Sequence, residues 1–217
     1  HLDRSEGQDL GLRVFVGSSG KFSQAIVSSS DTSRQALDEL VERAVARARA
    51  VPADPYSGLA DAEQLATEFP DFDQFDPAEP SADDLKELAR RAEDAGLAVQ
   101  GVSQCEGTSG GFGQSKVAVA GSNGFAHAYQ RSRHSLSASM VAGTGTKMER
   151  DDDYTGAVWS EDLDSPEAIG QSAGDKAVQR LNPQKAKTAT LPVIYDARAA
   201  RSLLGHLSSA INGSGVA

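Results

Sequence analysis

Five groupings in this 217-residue chain carry side chains able to do chemistry, and each makes a definite demand on the fold. His206 sits in the run Leu203-Leu204-Gly205-His206-Leu207, where an imidazole on a helix could ligate zinc. Helix-borne zinc proteases need two such histidines about a turn apart with a glutamate beside the first, so that two rings hold the ion and the carboxylate activates its water. Ser208, Ser209, Ala210 and Ile211 offer no second imidazole, so His206 reads as a partly exposed structural histidine. The run Asp71-Phe72-Asp73-Gln74-Phe75-Asp76 alternates carboxylates as a calcium loop does, but lacks the central glycine and closing glutamate. His127 and His134 flank an expected chain turn. With Ser122, Ser132, Ser135 and the cluster Asp151, Asp152 and Asp153, they supply the residue types of a nucleophile, base and orienter. Histidine and serine in a serine-rich stretch meet by chance, and consecutive aspartates on extended backbone point to alternate faces. That triplet therefore reads as a solvated turn at a strand end. Cys105, between Gln104 and Glu106, has no basic neighbour in sequence to lower its thiol pKa. Arg180, Lys185 and Lys187 form a small positive patch that reads as a solvated linker.

The elements that must position these groups follow from periodicity. Leu12, Val14 and Val16 alternate with polar neighbours, predicting a strand, a loop at Gly17 to Gly20 and a second strand from Gln24 to Ser28, paired as a hairpin. Ser33 caps a helix from Arg34 to Ala50 with the stripe Leu37, Leu40, Val41, Ala44, Val45 and Ala48. Pro52, Pro55, Pro70, Pro77 and Pro80 break regular structure between Val51 and Pro80. Ser81 then caps a helix from Ala82 to Ala95, with Asp84 completing a capping box and Gly96 ending it. From Leu97 to Trp159 the sequence predicts five short strands in an antiparallel meander, turning at Ser122-Asn123-Gly124. Ser165 and Pro166 open a helix to Leu181 whose inner face is Ile169, Ala173, Ala177, Val178 and Leu181. Pro192 to Tyr195 predicts a strand. Asp196 then caps a last helix whose Ala200, Leu203, Leu204, Leu207, Ala210 and Ile211 make a core face, closed by Asn212-Gly213 in a left-handed conformation.

The fold class expected is α+β: a helix-plus-hairpin N-terminal part, an antiparallel meander with flanking helices, and the start of a further domain. A formal net charge of −10 argues against a nucleic-acid surface, which needs clustered cations to displace counterions. No apolar run approaches the ~18 residues that span a bilayer, and the opening HLDRSEGQDL is too polar for a secretion signal. One cysteine makes no internal disulfide and suits a reducing compartment, so a cytoplasmic location with no membrane partner is expected.

The stretch DARAARSLLGHLSSAINGSGVA resembles the segment that opens the C-terminal domain of the TldD/PmbA family, also called modulators of DNA gyrase, and specifically its PmbA (TldE) branch. RSEGQDLGLRVFVG with SSSDTS, SNGFAHAY and the ERDDDY run are similar to the family's earlier parts. The resemblance implies a two-subunit, zinc-dependent cytoplasmic protease acting on unfolded peptides, in peptide-antibiotic maturation and antitoxin removal. Its zinc is carried by an HExxxH motif on the TldD-like partner, and this chain has no cofactor of its own. Placing Leu203-Leu204 before that motif puts Gly205 on the first histidine, His206 on the glutamate and Ala210 on the second histidine. Starting it at His206 leaves Leu207 for the glutamate and Ile211 for the second histidine, so the motif is degenerate in either register and no catalytic or metal-binding residue is assigned, His206 being the one metal candidate. The implied organisation is the C-terminal part of an N-terminal α/β domain at 1–50, an acidic proline-rich linker at 51–80, a central domain at 81–190 and the start of a C-terminal domain at 191–217, with further portions of the family fold before His1 and after Ala217. A homodimer, a metal-dependent peptidase acting alone, and a gyrase modulator working through protein contact are the other expectations.

Overall fold

The computed structural model describes residues 1–18 and 20–213, in two compact units, His1–Leu181 and Asn182–Ala217. It is an α+β protein, and the element order is ββα, then αβββα, then a final helix.

β1 (Leu10–Ser18) and β2 (Lys21–Ser29) pair antiparallel in register from Leu10↔Ser29 to Ser18↔Lys21. The strands run almost to the turn, so the loop expected at Gly17 to Gly20 shrinks to its tip. Leu12 and Val14 pack with buried Val27 against α1 (Arg34–Arg49), where Leu40 and Ala44 complete the cluster. Ser33 caps α1 by accepting from the Ala36 amide at 3.3 Å. Val41, assigned to the stripe by periodicity, is 50% exposed, because the two-stranded sheet is too narrow to cover the whole helix face.

The proline-rich segment is irregular apart from a short 3-10 turn at Ala62–Gln64, yet it is tied down at both ends. Phe22 and Asp54 exchange backbone hydrogen bonds, and Asn123 Nδ2 donates to the Ala60 carbonyl at 3.0 Å. Phe69 stacks on His127 with ring centroids 3.8 Å apart.

α2 (Ala82–Leu97) begins at the expected capping box: Ser81 Oγ accepts from the Asp84 amide at 3.2 Å, and the Asp84 carboxylate accepts from the Ser81 amide at 2.9 Å. Ser81→Ala should remove the bond from the Asp84 amide and the one that Ser81 Oγ donates to the Asp84 carboxylate, while the backbone amide at 81 keeps its own, and lower stability by about 1 kcal/mol, read as a small drop in the thermal midpoint. α2 does not stop at Gly96, which is buried beneath Met140 and serves packing rather than termination.

The five expected strands are three long ones in the order β3-β4-β5: β3 (Val102–Ala120), β4 (Ala126–Ala142) and β5 (Glu149–Ala157). The glycine-rich run from Gly107 to Gly113 lies inside β3, where missing side chains let α2 approach. A Cβ on Gly110 would stand 2.6 Å from the Leu85 carbonyl oxygen. α2 and α3 (Pro166–Gln179) cover one face of the sheet, burying Leu136, Ala138, Met140 and Ala142 against Ala92, Ile169, Ala173 and Ala177. β5 pairs only with His134 to Ala142, so the far half of β3 and β4 extends past it as a two-stranded ribbon around the turn at Gly124.

In the second unit α4 (Ala197–Ala210) forms as expected, with the Asp196 side chain accepting from the Arg198 amide at 2.9 Å. Pro192 to Tyr195 does not form the expected strand; it has no partner strand to pair with among the described residues, and Ile194 is 96% exposed. Ile211 closes α4 in right-handed geometry, and Gly213 does not take the left-handed backbone expected of it.

Candidate functional site

Gly205, His206 and Ala210, the positions that the degenerate motif would occupy, all lie exposed on α4. Leu204 and Ile211 are 68% and 73% exposed, so the stripe expected to be core is solvent-facing in the described chain. No residue of α4 is buried: periodicity identified the apolar face, but nothing among the described residues covers it. Among those residues no group of three His, Cys, Asp or Glu side chains could hold a metal ion, and His206 brings one imidazole alone. The donors present do not fit zinc.

Two of the polar residues singled out by type, Ser132 and His134, do meet, around a third that the sequence reading placed elsewhere, Asp76. His127 and His134 do not flank a turn; both lie on β4, on opposite faces. His134 is 2% exposed, with its ring 4.8 Å from Phe112 and Nε2 3.0 Å from Asp76 Oδ2. That approach has ion-pair distance without the alignment of a hydrogen bond, and Nε2 has no other partner. Asp76, 3% exposed, accepts from the Ala78 amide at 2.8 Å and the Ser160 amide at 3.1 Å. The Ala78 amide, opposed by burial and aided by Ser160 and His134, holds its carboxyl below the usual aspartate range. Ser132 Oγ accepts from the Asp76 amide at 2.8 Å and donates to the Val158 carbonyl at 3.1 Å.

These are the residue types of a hydrolase triad in an arrangement that cannot act as one. The Ser132 proton is committed to Val158, and serine, histidine and aspartate are all buried away from any substrate. What the cluster does is mechanical. Gln74 accepts from the Ser132 amide at 3.1 Å, and Trp159 Nε1 donates to the Asp73 carbonyl at 3.3 Å, so residues 73–76 strap the end of the proline-rich segment onto β4 where β5 ends. Asp76 was grouped with the calcium-like run, but its carboxylate turns inward while Asp71 accepts locally from the Asp73 amide. The available signal was the Asp-Pro-x sequence, which favours an aspartate bonding the amide two residues on.

The three consecutive aspartates are mid-strand, not a solvated turn. Asp151 is buried and pairs with Arg180, Asp153 pairs with Lys176 at 2.8 Å, and Asp152 is exposed on the other face. Alternation along β5 thus aims two carboxylates at the C-terminal turn of α3, and Arg180 leaves the positive patch assigned to it. Burial opposes ionisation of Asp153, but Lys176 and Ser172 outweigh it and hold its carboxyl low. Cys105 is half-buried with its thiol pushed up by burial and by Glu93, the opposite of an activated nucleophile.

Comparison with other proteins places this arrangement. The family description "PmbA/TldA metallopeptidase domain 1" matches residues 1–48, and "PmbA/TldA metallopeptidase central domain" matches 75–181. The chain is 41% identical over 192 residues to Metalloprotease PmbA of Escherichia coli O157:H7, covering 87% of this chain and 42% of that protein. It is 34% identical over 205 residues to the Metalloprotease PmbA homolog of Haemophilus influenzae, covering 94% of this chain and 45% of that protein. It therefore spans somewhat less than half the length of these relatives. The fold is shared with a candidate modulator of DNA gyrase from Bacteroides thetaiotaomicron, at TM-score 0.79 and 24% identity over 94% of this chain and 47% of that one. TldE from Thermococcus kodakarensis also matches, at TM-score 0.56 and 18% identity over 78% of this chain and 42% of that one.

Proposed function

This chain belongs to the PmbA/TldD metallopeptidase family, and on that premise we propose that it is the PmbA/TldE-like subunit of a two-chain zinc protease acting on unfolded peptides in the cytoplasm. The partner, a TldD-like subunit, carries the HExxxH motif and the zinc; this subunit supplies scaffold and peptide-binding surface. The observation that carries the reading is α4, where Gly205, His206 and Ala210 stand in the motif's positions and leave a single imidazole. Peptide-antibiotic maturation and antitoxin degradation are the processes this reading assigns to the pair.

The test is the zinc content of the full-length protein, purified alone and with a TldD-like partner, alongside cleavage of an unfolded peptide. Zinc and cleavage are expected only with the partner present. Stoichiometric zinc on this protein alone would overturn the reading in favour of a metal-dependent peptidase acting by itself, which the "Metalloprotease" name of the relatives favours, and His206 would be the first residue to replace. The gyrase role in the name of the Bacteroides protein would reach a chain of net charge −10 through protein contact rather than through DNA.

A further inference from the structure

The hairpin with α1 and the sheet with α2 and α3 have separate cores that share no residue. The segment 51–80 joins them, and its composition is one-sided: eight aspartates and glutamates, with no lysine or arginine. The stretch from Gly107 to Met148, which holds most of β3 and all of β4, is the reverse. It carries Lys116, Arg131, Arg133 and Lys147 and no aspartate or glutamate. An acidic segment thus lies along a cationic ribbon, an attraction of fields that needs no single ion pair.

The segment is seated first on the hairpin and then on the ribbon. On the hairpin, Phe22 and Asp54 exchange backbone bonds and Gln24 Nε2 donates to Ser57 Oγ at 2.9 Å. Gly58 lies against the Phe22 ring, where a Cβ would stand 3.7 Å away. Three residues after Ser57 the chain is already on the ribbon: Asn123 Nδ2, in the turn between β3 and β4, donates to the Ala60 carbonyl at 3.0 Å. Phe69 then stacks on His127 at 3.8 Å and meets Phe125 edge-on at 6.0 Å. Only Gly58 and Leu59 separate the last hairpin contact from the first ribbon contact, so these bonds hold the hairpin close to the ribbon's tip. The exposed pair of Arg4 with Glu79, at 3.7 Å, adds little.

We propose that residues 57–69 are a latch: seated on the ribbon by Asn123, by the rings of His127 and Phe125 and by opposite charge, they fix how the hairpin and α1 sit against the sheet. When both seats open, the two bodies swing on a tether. Both seats are at the surface, Phe69 being 44% exposed, so opening takes no contact from either core. Freed between Ser57 and the strap at Asp73, residues 58–72 would span on the order of 20 Å as a random coil. The latch is a property of this chain alone and does not depend on a protease partner.

Distances between paired spin labels test it in the 217-residue chain, with labels at Glu42→Cys on α1 and Gln171→Cys on α3, both exposed, in a Cys105→Ser background. The parent should give one narrow peak. Phe69→Ala combined with Asn123→Asp should spread that peak over on the order of 20 Å. The first change removes the stack; the second removes the amide donor but keeps an oxygen for the Phe125 amide that now bonds Asn123 Oδ1. Phe69→Tyr should stay narrow, because a ring remains to stack. In Phe69→Ala alone, raising salt from about 0.01 M to about 1 M shortens the screening length from about 30 Å to about 3 Å and should broaden the peak further. Far-ultraviolet dichroism should be unchanged in all of these, since each body keeps its core. If the double variant fails to fold, the two single variants carry the test, each broadening the peak by less. A peak as narrow as the parent's in every variant would overturn the latch, as would a parent peak that is already broad. A Phe69→Ala peak indifferent to salt would overturn the part assigned to charge.

Discussion

Gly170→Val should lower stability by on the order of 3 kcal/mol or more, a fall of roughly 6–12 °C in the thermal midpoint of a chain this size. Gly170 lies on the buried side of α3, where the helix crosses α2. A Cβ placed there would run into the Ala92 carbonyl oxygen and stand 2.8 Å from the carbonyl carbon and 3.0 Å from the Gly96 amide nitrogen. All three atoms are backbone, so no side chain can rotate away and the helices must separate. One turn on, a Cβ at Gly174 would meet Val99 at 2.8 Å and the Gly96 carbonyl at 3.1 Å, so the crossing is close along its length. Separation would open the cluster of Ala92, Ile169, Ala173 and Ala177 over Leu136 and Met140. Loss of packing density there removes many small dispersion contacts at once. Circular dichroism melts of Gly170→Ala and Gly170→Val should fall in that order. The same Ala change at Gly205, whose added Cβ meets nothing within 4 Å, should instead raise the helicity of α4 slightly. A Gly170→Val protein melting like the parent would show that α2 and α3 are not locked by this contact.

Local rules were legible where the physics is local. Ser33, Ser81 and Ser165 each cap the helix their position predicts, because a cap needs only a side-chain oxygen and an amide three residues on. The antiparallel meander and its turn at Gly124 likewise followed from alternation and an Asn-Gly pair. What local pattern missed depends on partners far along the chain. Five short strands were expected where three long ones form, because the helix backbone that Gly110 of β3 accommodates belongs to α2. Gly170 and Gly174 drew no notice because a stripe defined by hydrophobicity passes over glycine, yet they set the distance between helices. Asp151 and Asp153 looked like a turn because the cations that pair with them, Arg180 and Lys176, are on α3. α4 was legible as a helix with an apolar face, but a face carries no information on whether anything covers it. The cluster around Asp76 was the least legible, since its serine partner is 56 positions away.

Asp76→Ala should release the strap while leaving the three-stranded sheet folded, and the single tryptophan is placed to report it. Trp159 Nε1 donates to the Asp73 carbonyl, so its emission should shift to the red when residues 73–76 leave β4. The substitution strands three groups at once: the Ala78 and Ser160 amides and the buried His134 ring each lose the carboxylate they face. Buried polar groups without partners are costly, and the segment has an alternative, which is to detach into solvent. Acid should reproduce the effect. The Asp76 carboxyl is held below its usual range in the folded chain, first by the Ala78 amide, so its contribution is complete above the unfolded value of about pH 3.9 and is lost as pH falls through the lower folded value. In the parent protein Trp159 emission should therefore shift in a step below about pH 4, and in Asp76→Asn that step should be absent. General acid unfolding through the other low carboxylates, such as Asp153, would move the far-ultraviolet dichroism as well. Strap release moves the tryptophan alone. A parent protein whose two signals change together would refute the strap as a separate unit.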